Sequence, residues 1–73
     1  MQEEIRALLA GAFSDAEIDL NLDGNRALIE IVSSHFDGMS RVQRQQAVYA
    51  VIADYIADGR LHAVTIKAQS LKP

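Results

Sequence analysis

The chain has 73 residues, no cysteine and a formal net charge of −3. At this length it is expected to form one domain over 1–73 that buries only about 60% of its unfolded surface, and its lack of cysteine excludes a disulfide framework, a thiol nucleophile and a thiolate metal site. No apolar run approaches the roughly 20 residues that cross a bilayer, and the acidic start Met1-Gln2-Glu3-Glu4 is unlike a signal peptide, so a cytoplasmic address is expected.

Ile5, Leu8, Leu9, Ala12 and Phe13 recur at three- and four-residue steps and predict a helix over 2–13, with Glu3 and Glu4 at the positive end of its dipole. Ser14-Asp15-Ala16-Glu17 has the form of a capping box. The residues after it do not continue a helix, because Ile18, Leu20 and Leu22 alternate with Glu17, Asp19, Asn21 and Asp23, the period of a half-buried strand. Asp23-Gly24-Asn25 is a tight turn, in which Gly24 takes positive φ at little cost. The β-branched, weakly polar stretch Arg26–Val32 is the partner strand and belongs in the centre of the sheet.

Residues 33–39 read as a loop. Ser40 and Gln43 form a second capping box, here ahead of a helical pattern. Val42, Tyr49, Ile52 and Ile56, flanked by Val48, Val51 and Tyr55, predict a helix over about 41–58 with room for a break near its start, and Gly59 supplies the C-terminal cap. His62 to Gln69 is a third strand, with Val64, Ile66 and Ala68 on one face. The tail from Ser70 to Pro73 is expected to fray.

The order predicts an α+β fold, with a three-stranded mixed sheet covered by helices on one face. Its hairpin is antiparallel, and the long helix is a right-handed crossover that makes strands two and three parallel. This topology separates the two histidines. His62 falls beside the Asp23–Arg26 turn and His35 past the far end of strand two, roughly 20 Å away, too far to share one metal ion within a monomer. A histidine at a strand entrance is most simply one hydrogen-bonded to nearby backbone. His35, in a polar loop, reads as plain surface.

Catalysis finds no support. Ser33, Ser34 and His35 are neighbours in sequence, which is not a triad geometry, and no glycine pattern resembles a phosphate-binding loop. The expectation is a protein that is not an enzyme. Nucleic-acid binding is a stronger rival. Residues 1–40 carry eight acidic and two basic side chains, whereas 41–73 carry five basic and two acidic. Arg41, Arg44 and Lys67 form a candidate phosphate-contacting group with a strong salt dependence. The G-x-x-G clamp of K-homology modules is missing. Tyr49 and Tyr55 lie close to the apolar stripe and are expected in the core.

Three blocks in register resemble the BolA family: Phe36-Asp37-Gly38-Met39-Ser40-Arg41-Val42-Gln43, the pair Val48-Tyr49, and His62-Ala63-Val64-Thr65-Ile66-Lys67-Ala68. With the preceding helix and hairpin, the likeness covers nearly the whole chain. It implies a BolA-like, class II KH-like α-β-β-α-α-β fold, which agrees with the order above if a short helix precedes the long one. It also implies a monothiol glutaredoxin as partner. The [2Fe-2S] cluster is then shared with the glutaredoxin, not bound by this chain alone, and His62 matches the family's histidine ligand. Many BolA-like proteins carry a second Cys or His ligand in the loop that is here Asp23-Gly24-Asn25-Arg26, and this chain has neither. The resemblance further implies DNA-binding regulation of morphology and stress responses as an alternative, through Arg41, Arg44 and Lys67. Alone, the chain is expected to be a monomer or weak homodimer.

Overall fold

A computed structural model describes residues 1–72. The elements are α1 (Gln2–Ala12), β1 (Glu17–Asp23), β2 (Arg26–Val32), a 3-10 turn at Ser34–Phe36, α2 (Arg41–Val51), α3 (Ala53–Ala57) and β3 (Ala63–Gln69). The sheet order is β1-β2-β3. β1 and β2 are antiparallel, with Asp23 opposite Arg26 across a two-residue turn in which Gly24 has φ 60°. β2 and β3 run parallel from Arg26 opposite Ala63 to Val32 opposite Gln69. This is the predicted α+β architecture, with β2 central.

All the helices lie on one face of the sheet. Leu20, Ala27, Ile29, Ile31, Ile66 and Ala68 point from the strands into a core shared with Ile5, Leu9, Phe13, Phe36, Val48, Ile52, Tyr55 and Leu61. The opposite face, with Asp19, Glu30 and Lys67 in one row across the three strands, is open to solvent.

Several local expectations are corrected. α1 ends at Ala12, and its buried line is Ile5-Leu9-Phe13, while Leu8 and Ala12 are exposed. The break in the helical region is not near its start, which the reciprocal Ser40–Gln43 capping box locks. It falls at Ile52, where the backbone tightens to φ −107° and ψ 16°. The buried set is Val48, Ile52 and Tyr55, and Val42 and Tyr49 from the predicted stripe face outwards. The loop before α2 holds the 3-10 turn, whose Phe36 is fully buried. The tail does not fray at its start. Ser70 donates its hydroxyl hydrogen to the Asp37 carboxylate, and the Lys72 amide donates to the Ser70 hydroxyl at 3.0 Å. Pro73, also predicted to fray, lies outside the described residues.

Candidate functional site

The two histidines lie near opposite ends of β2, one with its ring hydrogen-bonded and the other with its ring exposed. At the start of β2, the parallel pairing puts His62 against the hairpin turn, as the topology predicts: the His62 amide donates to the Asn25 carbonyl at 2.9 Å. β3 begins one residue later than expected, at Ala63, so His62 occupies the bend that feeds it. The approach to His62 is pinned residue by residue. Gly59 takes φ 82° after α3, the left-handed conformation that only glycine adopts at little cost. The Arg60 Nε donates to Asp58 at 2.7 Å, and its guanidinium lies 3.9 Å over the Tyr55 ring. The hydrogen bond from the Arg60 side chain holds the Asp58 carboxyl below its usual range. Leu61 is buried and donates its amide to the Tyr55 carbonyl at 2.9 Å.

The His62 side chain is exposed and makes no hydrogen bond or ion pair among the described residues. A Cβ at Gly59 would lie 3.8 Å from its Nε2, so the imidazole edge rests over bare backbone. Among the described residues no three His, Cys, Asp or Glu side chains gather to hold a metal ion.

At the far end, His35 is not plain surface. It belongs to a network the sequence did not disclose. The fully buried Ser33 donates its hydroxyl to Asp15 Oδ1 at 2.5 Å, while Ser34 gives that carboxylate both its hydroxyl and its amide, the latter at 3.2 Å. Donation from Ser33, then from Ser34, holds the Asp15 carboxyl well below the usual carboxylate range. His35 Nδ1 lies 3.0 Å from Ser33 Oγ and 3.5 Å from Asp15 Oδ1. A hydroxyl has one hydrogen, and Ser33 gives it to Asp15, so His35 Nδ1 must be the donor to Ser33. The imidazole also meets the Phe13 ring edge-on at 5.7 Å. The serine hydroxyl sits between carboxylate and imidazole and has no exposure, so this is a clamp between the α1–β1 turn and the end of β2, without the order of a catalytic triad.

The three basic residues singled out in the sequence do come together. Arg41, Arg44 and Lys67 line one shallow groove of about 180 Å³ between α2 and β3. Arg44 is already engaged, however, donating from Nε to the Ala68 carbonyl at 2.8 Å and from Nη1 to the Met39 carbonyl at 2.9 Å. Tyr49, expected in the core, is 40% exposed and donates its hydroxyl to the Val64 carbonyl at 3.2 Å. Only Tyr55 is buried.

The pattern of the BolA-like protein family matches residues 24–72, a span that begins at the hairpin turn and includes His62. The chain belongs to the BolA family. It is 48% identical over 65 residues to the acid stress protein IbaG of Escherichia coli K12, an alignment covering 89% of this chain and 77% of that protein. It is 43% identical over 68 residues to a protein encoded in the rpoN-murA intergenic region of Acinetobacter guillouiae, covering 93% and 82% of the two chains. Among solved structures, the BolA domain of SufE1 from Arabidopsis thaliana superposes with a TM-score of 0.88 at 26% identity, covering 96% of this chain and 91% of that one. BolA1 from the same plant gives 0.86 at 25%, covering 96% and 90%. The BolA fold thus includes the β2–β3 pairing that sets His62 beside the hairpin turn.

Proposed function

We propose that this BolA-family chain is a partner of a monothiol glutaredoxin and contributes His62 as its one ligand to a [2Fe-2S] cluster shared between the two proteins, serving cluster assembly, trafficking or iron sensing. The observation that carries this reading is the exposed, unbonded imidazole of His62 on a loop whose backbone amides from Gly59 to Ala63 are all hydrogen-bonded. A preorganised ligand loses little freedom when a partner brings the rest of the coordination sphere. The Asp23–Arg26 turn beside it offers no second nitrogen or sulfur donor, so the chain's share is a single nitrogen. An imidazole in place of a thiolate raises a cluster's potential, and because only the neutral ring ligates, binding weakens as pH falls. No catalytic role is proposed for this chain.

The test is anaerobic mixing with a monothiol glutaredoxin, iron, sulfide and glutathione, followed by visible absorption and circular dichroism. A new spectrum that His62→Ala removes, with the fold of the variant intact, supports the reading. A spectrum identical to that of the glutaredoxin alone counts against it.

One observation favours a second reading, DNA binding in stress regulation: the gathering of Arg41, Arg44 and Lys67 at one groove. Arg41→Ala with Lys67→Ala should then weaken DNA binding across sequences and flatten its salt dependence. No binding at low ionic strength would end that reading.

A further inference from the structure

A three-stranded sheet has two edges, each a row of backbone groups ready to pair with another strand. In this chain the edges differ. β1 is acidic, with Glu17, Asp19 and Asp23 along it, and two of its carbonyls are occupied from α1: Gln2 Nε2 donates to Leu20 at 3.1 Å and Arg6 Nη1 to Ile18 at 3.1 Å. β3, Ala63-Val64-Thr65-Ile66-Lys67-Ala68-Gln69, carries one charge and is rich in β-branched residues, the composition that invites strand pairing.

The backbone of β3 has a definite polarity. The Ala63 amide bonds Asn25 and the Gln69 carbonyl accepts from Ser33, so the odd-numbered residues face β2. Val64, Ile66 and Ala68 therefore turn their N–H and C=O groups to the outer edge. The carbonyls of Val64 and Ala68 are taken by Tyr49 and Arg44, and that of Ile66, between them, has no hydrogen bond among the described residues.

We propose that Arg44 and Tyr49 hold the β3 edge closed against antiparallel pairing with β3 of a second copy of this chain. A two-fold axis at Ile66 sets Ile66 against its own copy, Val64 against Ala68, and Lys67 against Thr65, so no like charges meet. The Val64 and Ala68 carbonyls are the acceptors this register needs on both sides of its centre, and they are the two that Tyr49 and Arg44 occupy. Such an interface is isologous and closes as a dimer, whereas pairing β1 with β3 would propagate without end. Arg44 is suited to the task because its second hydrogen bond, to Met39, fixes the guanidinium in place. This inference does not depend on the glutaredoxin reading.

The test is sedimentation velocity over a wide concentration range together with amide hydrogen exchange, on the wild type and on Arg44→Ala/Tyr49→Phe. The double variant is expected to self-associate at least about tenfold more tightly, with the Ile66 amide gaining protection as concentration rises. Adding Thr65→Lys, which in this register faces Lys67 of the second copy, should reverse both effects. If the double variant loses its helical circular dichroism, Tyr49→Phe alone, which removes one oxygen, carries the same test with a smaller shift. Unchanged association overturns the proposal. So does association that leaves Ile66 unprotected or ignores Thr65→Lys, and so does a wild-type dimer that already protects Ile66.

Discussion

The two ends of β2 each present a histidine, and the fold treats them in opposite ways. His35 is bound into a carboxylate–hydroxyl–imidazole network whose serine is fully buried. His62 is held by its backbone alone, with its ring left to solvent. A side chain whose donors and acceptors are satisfied internally stabilises the fold, and one left unsatisfied at a rigid position is available to something outside it. The difference separates an internally bonded histidine from an available one where residue type does not.

The strongest way to break this comparison is His62→Ala. The expected outcome is complete loss of the mixed-cluster spectrum with a melting temperature close to wild type, since the ring contributes no intramolecular bond. A matching loss with His35→Ala would erase the distinction. Next in size is Ser33→Ala, which leaves Asp15 and His35 without their shared hydroxyl in a buried site. A loss of about 1–3 kcal/mol is expected in chemical denaturation, with the cluster spectrum retained.

Asp15 sharpens the comparison through pH. Its carboxyl is depressed in the folded state, so its stabilisation is complete above the unfolded value of about 3.9 and is lost as pH falls towards the lower folded value. Wild-type melting temperature should therefore decline below about pH 4 more steeply than that of Asp15→Asn; parallel curves would show that the network contributes nothing to acid tolerance. His35→Ala should have the smallest effect. The ring is close to half exposed, and removing its one hydrogen bond to Ser33 should cost about 0.5–1 kcal/mol in the same denaturation assay.

Much of the His62 end was legible in the sequence. Alternation in 17–23, the Gly24 turn and the crossover helix together force β3 to start beside that turn, and this alone brings His62 to Asn25. The His35 end was not legible. Asp15 meets Ser33 and Ser34 across 18 and 19 residues, and nothing local in Ser14-Asp15-Ala16-Glu17 marks Asp15 as the partner of a distant loop. Tyr49 was misread, and the backbone bonds of Arg44 went unforeseen, for a related reason. Periodicity and charge assign a helical residue to a face, and neither reports that the face abuts unpaired carbonyls of a strand edge.

The sequence by itself determined the element order, the parallel and antiparallel pairings and the position of His62, because these follow from period, turn chemistry and handedness, which act over a few residues or through a single crossover. Only the tertiary structure decided which polar side chains were already occupied: His35 and Asp15 in a clamp, Arg44 and Tyr49 on the β3 edge, and Ser70 on Asp37. Hydrogen-bond satisfaction depends on where distant segments come to rest, and that arrangement is fixed by how the whole core packs.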